Sequence, residues 1–228
     1  ERIMLAHLGL AERLATRYRR SGGVGHDDLV QAARVGLVSA VNRYDPDRGN
    51  SFIVYAIVFI TGADPIKLFE RGQGAHARGD LEKALVFYEQ ALKVRPEFPE
   101  AEFQKGNVLV SLARFQEAEA SYRRAITLKK QWALPYSSLG ALLMRQQRDS
   151  EAEPLFRQAL ALDAQDNVAL RLLSEIKLRG GKPQEALEFA RKATQDQAAP
   201  PSSWIVLATA ERATGNKSGA KQILDRLI

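Results

Sequence analysis

The stretch at residues 139–159, LGALLMRQQRDSEAEPLFRQA, holds the pattern that decides the fold of this chain. Within it Gly140, Ala152, Phe156 and Ala159 each have a similar residue 34 positions before or after them. The most regular of these columns is alanine: Ala84, Ala118, Ala152, Ala186 and Ala220. A repeat period between about 20 and 50 residues is the signature of a solenoid, in which each unit stacks on its neighbours.

Three more columns keep the same step. Small residues form one: Gly72, Gly106, Gly140, Ser174 and Ala208. Mostly large apolar residues form the second: Tyr88, Tyr122, Phe156, Ala190 and Leu224. The third is Ala91, Ala125, Ala159 and Ala193, with Leu227 last. Small residues let helix backbones approach closely, and large ones fill the gap between helix pairs. The spacing therefore predicts an all-α solenoid from about Pro65 to the C-terminus.

Local signals divide each repeat into two helices. Asp64, a capping acid, precedes Pro65 at the first helical position and predicts a helix start. This helix is expected to run to about Arg78, with a turn at residues 79–80 and a second helix that ends before Pro96. Later turns are predicted at residues 113–114, 147–149, 180–183 and 215–216.

These features resemble the tetratricopeptide repeat, a helix–turn–helix of 34 residues with small-residue columns. The resemblance implies a right-handed α-solenoid of five repeats over residues 63–228. The repeats are expected at about 65–98, 99–132, 133–166, 167–200 and 201–228. Two features depart from the family pattern: its closing proline survives only as Pro96, and Ala190 replaces a large residue.

In this family the concave face, lined by the first helix of each repeat, binds peptides or partner helices. The register of the resemblance places these residues in the groove: Phe69, Gln73, Phe103, Asn107, Ser137, Met144, Arg145, Arg171 and Arg179. Some chaperone-binding members clamp a C-terminal carboxylate with lysine and asparagine. That ligand is not expected, since those positions hold Phe69, Gln73, Gln104, Leu134 and Ser138. The groove arginines, Arg212 included, either recognise acidic peptide groups or are solvated or paired with Glu175.

The period is absent from residues 1–62. An amphipathic helix is predicted first, ending at residues 21–23, and a second helix starts at Asp27 and Asp28. The apolar run 52–60 fits a helix or a strand equally. Residues 27–49, DDLVQAARVGLVSAVNRYDPDRG, resemble conserved region 2 of bacterial sigma factors, most closely the sporulation and general-stress group. The resemblance implies a helical segment with an RNA polymerase-binding surface: Asp28, Leu29, Gln31, Arg34 and Leu37.

The sigma-like pattern stops at residues 58–65, VFITGADP. In the family the third helix leads into an aromatic, basic stretch that opens and reads promoter DNA, and stacking aromatics are what single-strand capture needs. Specific DNA binding is therefore not expected. Three hypotheses follow. In the first, the chain is a scaffold whose N-terminal segment serves as a helical cap or a polymerase-docking element. In the second, it is a sigma-like regulator that occupies RNA polymerase or an anti-sigma factor. In the third, it is an engineered or artefactual chimera.

Composition and the absence of catalytic motifs favour a non-enzymatic protein that needs no cofactor, and the sigma-factor resemblance implies a bacterial one. The net charge of +6 is spread along the chain, which indicates a solvated surface. Cysteine is absent, and His7, His26 and His76 lack the spacing of metal ligands. No phosphate-binding loop or nucleophile elbow is present. With no apolar run of about 18 residues, we expect no membrane partner and a cytoplasmic location.

Overall fold

The computed structural model describes residues 64–227 of the 228-residue chain. Over that range it contains ten α-helices and no strand. The helices are α1 (Pro65–Ala77), α2 (Leu81–Val94), α3 (Pro99–Ser111), α4 (Phe115–Leu128), α5 (Ala133–Arg145), α6 (Asp149–Leu162), α7 (Asn167–Arg179), α8 (Pro183–Ala193), α9 (Pro201–Ala213) and α10 (Lys217–Asp225). The all-α fold of helix–turn–helix repeats is confirmed. The expectations for residues 1–62, including helix or strand over 52–60, lie outside the described residues.

The chain divides into two compact units, Glu1–Val108 and Leu109–Ile228, and the division falls within α3. In the second unit, contacts within pairs join α5 to α6, α7 to α8 and α9 to α10. Contacts between pairs join α4 to α5, α6 to α7 and α8 to α9. The first helices of successive pairs also pack side by side, α5 on α7 and α7 on α9. Each pair therefore buries its apolar faces on its neighbours, as a solenoid requires.

The first helix starts as the sequence predicts. Asp64 caps α1, because its Oδ1 accepts from the backbone N–H of Ile66 at 2.8 Å, and Pro65 is the first helical residue. A cap of this kind satisfies one of the amide groups that a helix start leaves without an internal partner.

The turn inside every described helix pair contains one residue with positive φ: Gly79 (79°), Ala113 (58°), Gln147 (62°), Gly181 (69°) and Gly215 (96°). These positions are 34 residues apart. The next residue in each case donates its N–H to the carbonyl five residues earlier, as Arg148 does to Leu143 at 2.9 Å. This left-handed closure satisfies carbonyls that the helix end leaves free. The predicted turn positions are confirmed.

Small and large residues in the repeat columns pack against each other. A Cβ atom added to Gly72 would lie 2.5 Å from Cε1 of Tyr88, and one added to Gly140 would lie 2.6 Å from Cε1 of Phe156. In the fourth pair, where Ala190 replaces the large residue, Ser174 replaces the glycine, and its hydroxyl donates to the Ala186 carbonyl at 2.8 Å. In this pair the two columns therefore change size together.

Each unit has its own core. In the first, Ala91, Phe98 and Ala101 are buried, and the rings of Phe69 and Phe98 are 5.0 Å apart. In the second, one cluster joins α8 and α9 through Ala186, Leu187, Ala190, Val206, Leu207 and Ala210, with Leu178, Trp204 and Ile223 packed against it.

A basic residue precedes the second helix of three pairs and binds a glutamate three residues on. Arg114 contacts Glu117 at 2.7 Å, Arg148 contacts Glu151 at 2.7 Å, and Lys182 contacts Glu185 at 3.3 Å. Arg148 also reaches back to Glu119 of the preceding pair at 2.7 Å. The hydrogen bond from Arg148 lowers the pKa of Glu151, and the hydrogen bonds that Arg148 makes to Glu151 and Glu119 raise the pKa of Arg148.

Candidate partner-binding site

Three exposed apolar side chains lie on the first helices of successive pairs in the second unit. Leu134 is the second residue of α5 and is 51% exposed, and Val168 is the second residue of α7 and is 40% exposed. Ile205, near the start of α9, is 50% exposed. The helices α5, α7 and α9 pack side by side, and these three residues are here called the apolar row.

Arginines stand at the opposite ends of the same three helices. Arg145 and Arg179 end α5 and α7, and Arg212 lies in the last turn of α9. Leu134 and Arg145 are separated by about three helical turns, so they share one face about 16 Å apart. The same holds for Val168 and Arg179. Ile205 and Arg212 are seven residues apart, about two helical turns, and also share a face of α9. Each of the three helices therefore carries an exposed apolar residue and an arginine on one face, and Arg145, Arg179 and Arg212 are here called the arginine row.

The arginines differ in whether other side chains of the same protein already bind them. Arg179 contacts Asp149 at 2.8 Å, and Arg171 contacts Glu175 at 2.6 Å, as one of the two sequence interpretations predicts. Arg145 stacks on the ring of Phe115 at 4.8 Å. Within residues 64–227, Arg212 makes no ion pair or hydrogen bond through its side chain. Arg145 and Arg212 are therefore the arginines of this row best placed to receive an external carboxylate.

Three of the predicted groove residues lie in the interior. Ser137 is 2% exposed and donates its hydroxyl to the Leu134 carbonyl at 3.1 Å. Met144 and Phe103 are 9% and 8% exposed. Their burial lets them shape the surface from beneath but leaves a partner little to contact.

In the first unit, Phe69 is half-buried between aromatic rings, with Tyr88 at 5.7 Å and Phe98 at 5.0 Å between ring centroids. Asn107 donates to Gln104 at 3.2 Å. Gln73 is exposed and lines a depression on this unit. The predicted groove residues of the first unit thus include a core-packed ring and two amides at the surface.

The residues predicted to bind polymerase, Asp28, Leu29, Gln31, Arg34 and Leu37, lie outside the described residues. Sequence reasoning missed Val168 and Ile205. Val168 could have been found, because it stands 34 residues after Leu134. Ile205 could also have been found, because it stands 34 residues after Arg171 and 68 after Ser137, both predicted groove residues.

Two further observations concern the chemistry of the surface. Residues 64–227 contain no group of three or more His, Asp or Glu side chains arranged to hold a metal ion. In the same part of the chain, every helix is too short or too polar to cross a membrane.

The helix pairs and their open, mixed surface define a helical-repeat scaffold. The family model of the tetratricopeptide repeat matches residues 69–132 and 138–203, more than half of the sequence. The chain belongs to the tetratricopeptide repeat family. The family model of sigma-70 region 2 matches residues 3–63. The chain therefore joins two family patterns, the same two that the sequence resemblances indicate.

Among curated proteins, the RNA polymerase sigma-B factor of Bacillus anthracis is 36% identical over 76 residues, which are 33% of this chain and 29% of that protein. The chain thus spans less than a third of this relative. Among solved structures, that of Pseudomonas aeruginosa pilF has a TM-score of 0.64 at 23% identity, covering 71% of this chain and 73% of that one. YrrB, described as a TPR protein with an unusual peptide-binding site, has a TM-score of 0.59 at 21% identity, covering 75% and 89%. At these identities the structures show the fold alone.

Proposed function

We propose that the chain is a protein–protein interaction scaffold whose second unit binds an extended peptide or a helix of a partner across α5, α7 and α9. The observation that carries this proposal is that α5, α7 and α9 pack side by side and each presents an exposed apolar residue and an arginine on one face. Exposed apolar side chains contribute affinity when a partner covers them, and arginines orient a carboxylate. The partner chemistry that fits is a segment with apolar residues at one edge and acidic residues at the other.

The likeness to YrrB supports peptide binding as the mode, since that protein is described as having an unusual peptide-binding site. The two in-chain acids of this surface, Asp149 and Glu175, already neutralise Arg179 and Arg171. A partner therefore meets an excess of positive charge at Arg145 and Arg212, and its acidic residues are expected to lie near the ends of those two helices.

The experiment is an array of dodecapeptides carrying two leucines and either two aspartates or two asparagines, with the full chain labelled for detection. The aspartate peptides should bind more tightly, and Arg145→Ala with Arg212→Ala should remove that difference. Arg124→Ala, which changes an exposed arginine on α4 rather than on α5, α7 or α9, is the matched control and should bind as the parent does. Equal binding by the double variant and the parent would contradict the proposal.

A second function is favoured by the match of residues 3–63 to sigma-70 region 2. We propose that this segment docks on RNA polymerase through Asp28, Leu29, Gln31, Arg34 and Leu37, or on an anti-sigma factor, without reading a promoter. Apolar knobs ringed by polar groups suit contact with a helical partner surface. Bacterial core RNA polymerase should co-precipitate with the parent chain and not with the variant Gln31→Ala, Leu37→Ala. Retention by that variant, or no co-precipitation of the parent, would rule out this docking.

A further inference from the structure

The first unit carries an open depression of about 800 Å³ between α1 and α2, here called the basic depression. Its described lining contains four bases, one acid, one aromatic ring and one glycine: Lys67, Glu70, Arg71, Gly74, Arg78, Lys83 and Phe87. All four basic side chains are exposed, and the ring of Phe87 is half-buried. Among the described lining residues, positive charge therefore clearly exceeds negative charge.

The same face of later helix pairs is buried and mostly apolar. At the register of Arg71, the helices α5, α7 and α9 carry leucines that are no more than 7% exposed: Leu139, Leu173 and Leu207. At the register of Lys67 they carry small buried residues: Pro135, Ala169 and Ser203. In α9 this face packs on α8, the second helix of the preceding pair, through Leu207 and Ala210. It is therefore a face that can receive a helix, and in the first pair it is basic.

The basic side chains of the depression keep their charges available. Within residues 64–227, Lys67 and Lys83 make no ion pair or hydrogen bond through their side chains. Arg71 lies over the Phe87 ring, 4.6 Å from its centroid, and the N–H groups of its guanidinium have no acceptor in that part of the chain. An arginine placed in this way can still bind a carboxylate through those N–H groups.

Lys83 reverses the charge of its column. The residues at its register in the next three pairs are glutamates, and each pairs with a base three residues before it: Glu117, Glu151 and Glu185. In the first pair Asp80 stands where those bases stand. Asp80 contacts Arg78 at 3.7 Å, however, and Lys83 contacts no acid among the described residues. The reversal therefore does not serve the pairing that the other turns use.

The two parts of the chain that a continuous stack would bring to this face lack the complementary charge. Residues 48–63, which directly precede Asp64, contain no aspartate or glutamate. At the other end of the array, Lys217, Lys221 and Arg226 are exposed beside one acid, Asp225. A second copy stacked end to end would thus bring positive charge onto positive charge. The acids that complement the depression are therefore expected on another protein.

We propose that the basic depression binds an acidic amphipathic helix of a partner protein. Lys67 and Arg71 stand one turn apart on α1, so acids one turn apart on the partner helix can meet both. An apolar residue between those acids would cover the Phe87 ring. Gly74 stands where α5 and α7 carry Leu142 and Ile176, so no side chain at that position holds the partner away. This surface lies on the first unit and does not depend on the arginine row.

The test measures binding of the labelled full chain to helical peptides of about 15 residues, a length at which an isolated helix can form. The peptides share one leucine in each turn, and the positions beside the leucines are all glutamate, all glutamine or all lysine. The glutamate helix should bind about tenfold more tightly than the glutamine helix, as several exposed ion pairs acting together allow.

The variant Lys67→Glu, Lys83→Glu should reverse this order, so that the lysine helix binds best. An unfolded variant could not show such a gain, and glutamate is the residue that the next three pairs carry at the register of Lys83. The variant Lys93→Glu, Lys192→Glu changes two exposed lysines outside the depression. It is the matched control and should keep the order of the parent.

The other outcomes overturn the proposal. A preference for the glutamate helix that survives Lys67→Glu, Lys83→Glu would do so, as would binding of none of the peptides by the parent. A preference lost only in Arg145→Ala, Arg212→Ala would assign the acidic helix to the arginine row, which supports the scaffold function while removing this site. Single-stranded DNA of the same net charge is the last probe: tighter binding than the glutamate helix, abolished by Lys67→Glu, Lys83→Glu, would make nucleic acid the ligand instead.

Discussion

The positive-φ column shows how a single residue sets the geometry of a turn. Glycine holds this position in three turns, but Ala113 and Gln147 hold it in the other two at φ values of 58° and 62°. A left-handed conformation costs a residue with a Cβ atom about 1–2 kcal/mol. The second and third turns therefore store strain that the others do not.

Gln147→Gly should raise the free energy of unfolding by about 0.5–1 kcal/mol, because relief of the strain exceeds the added freedom of glycine in the unfolded chain. Urea unfolding of the full chain measures the change. Gly181→Ala is the reverse control: nothing lies within 4 Å of an added Cβ there, so its expected loss reflects the backbone alone. A loss of stability in Gln147→Gly would show that its φ carries no strain.

Two glycines in α1, only two residues apart, separate packing from helix propensity. A Cβ on Gly72 would meet the Tyr88 ring at 2.5 Å, whereas one on Gly74 would meet only the end of Arg78, at 3.5 Å.

Gly72→Ala should destabilise the protein by about 1–3 kcal/mol through overpacking. Gly74→Ala should leave stability unchanged or raise it by up to about 1 kcal/mol, since alanine favours a helix. Thermal unfolding of both variants gives the comparison. Equal effects would mean that the Tyr88 ring can move aside at no cost.

At the residue scale the sequence indicates packing better than polar chemistry. The step from Gly72 to Gly140 and from Tyr88 to Phe156 predicts which columns meet, because size must be conserved in a close-packed interior. It does not reveal that the Tyr88 hydroxyl is unpaired. That depends on which polar groups the neighbouring helices bring within reach, and periodicity carries no such information.

Between elements, a buried lysine joins three helices. Lys177 of α7 is 7% exposed and contacts Glu153 of α6 at 2.7 Å and Glu185 of α8 at 3.4 Å. The hydrogen bond from Lys177 is the main cause that lowers the pKa of Glu153 below its ordinary value of 4.5. Bonding to Glu153 likewise raises the pKa of Lys177.

Glu153→Gln should lower the free energy of unfolding at pH 7 by about 1–3 kcal/mol, because it leaves the buried ammonium with a weaker partner. A carboxylate whose folded pKa is depressed stabilises the protein above its unfolded pKa, and this contribution is lost as the pH falls through the folded pKa. The difference between parent and variant should therefore shrink as the pH falls below about 4.5.

Urea unfolding at pH 7 and at pH 3 measures this difference. Glu188→Gln, an exposed glutamate on α8, is the control and should change stability little at either pH. A difference that stays constant between the two pH values would mean that Glu153 does not titrate with folding.

At the scale of elements, helix limits were predictable and contacts between pairs were not. Asp64 and Pro65 signal the start of α1, and glycines mark three turns. The bonds from Arg148 to Glu119 and from Lys177 to Glu153 join residues 24 to 29 positions apart. Their partners depend on the angle at which one pair stacks on the next, which the repeat period leaves open.

For the whole molecule, the cap hypothesis for the sigma-like segment gives a direct prediction. If residues 1–62 cover the first repeat, their removal should lower the Tm of the remaining chain by about 2–4 °C for each kcal/mol of lost contact. Calorimetry of the full chain and of residues 63–228 measures the shift. An unchanged Tm would exclude the cap and leave polymerase or anti-sigma binding as the role proposed for this segment.

The two parts of the chain were predictable to different depths. The 34-residue period is dense enough to predict fold and register over residues 64–227, because every repeat must satisfy the same packing. The partner surface was predictable only in part. Arg145 and Arg179 follow from register, being 34 residues apart, whereas Arg212 is one residue off that step. The exposure of Ile205 and the burial of Ser137 depend on tertiary packing. The first segment is identified by its resemblance to sigma factors, because 62 residues without a repeat period indicate little beyond helices.

The left-handed turn that closes every helix pair has a consequence for how such a chain changes length. Its hydrogen bonds span only six residues, so each pair is closed locally and needs no distant segment to complete its turn. Gain or loss of one whole pair, 34 residues at a time, preserves the closure of every pair that remains. Duplication and deletion can thus lengthen or shorten the array in whole steps, while an insertion of any other length must be absorbed in the connections between pairs.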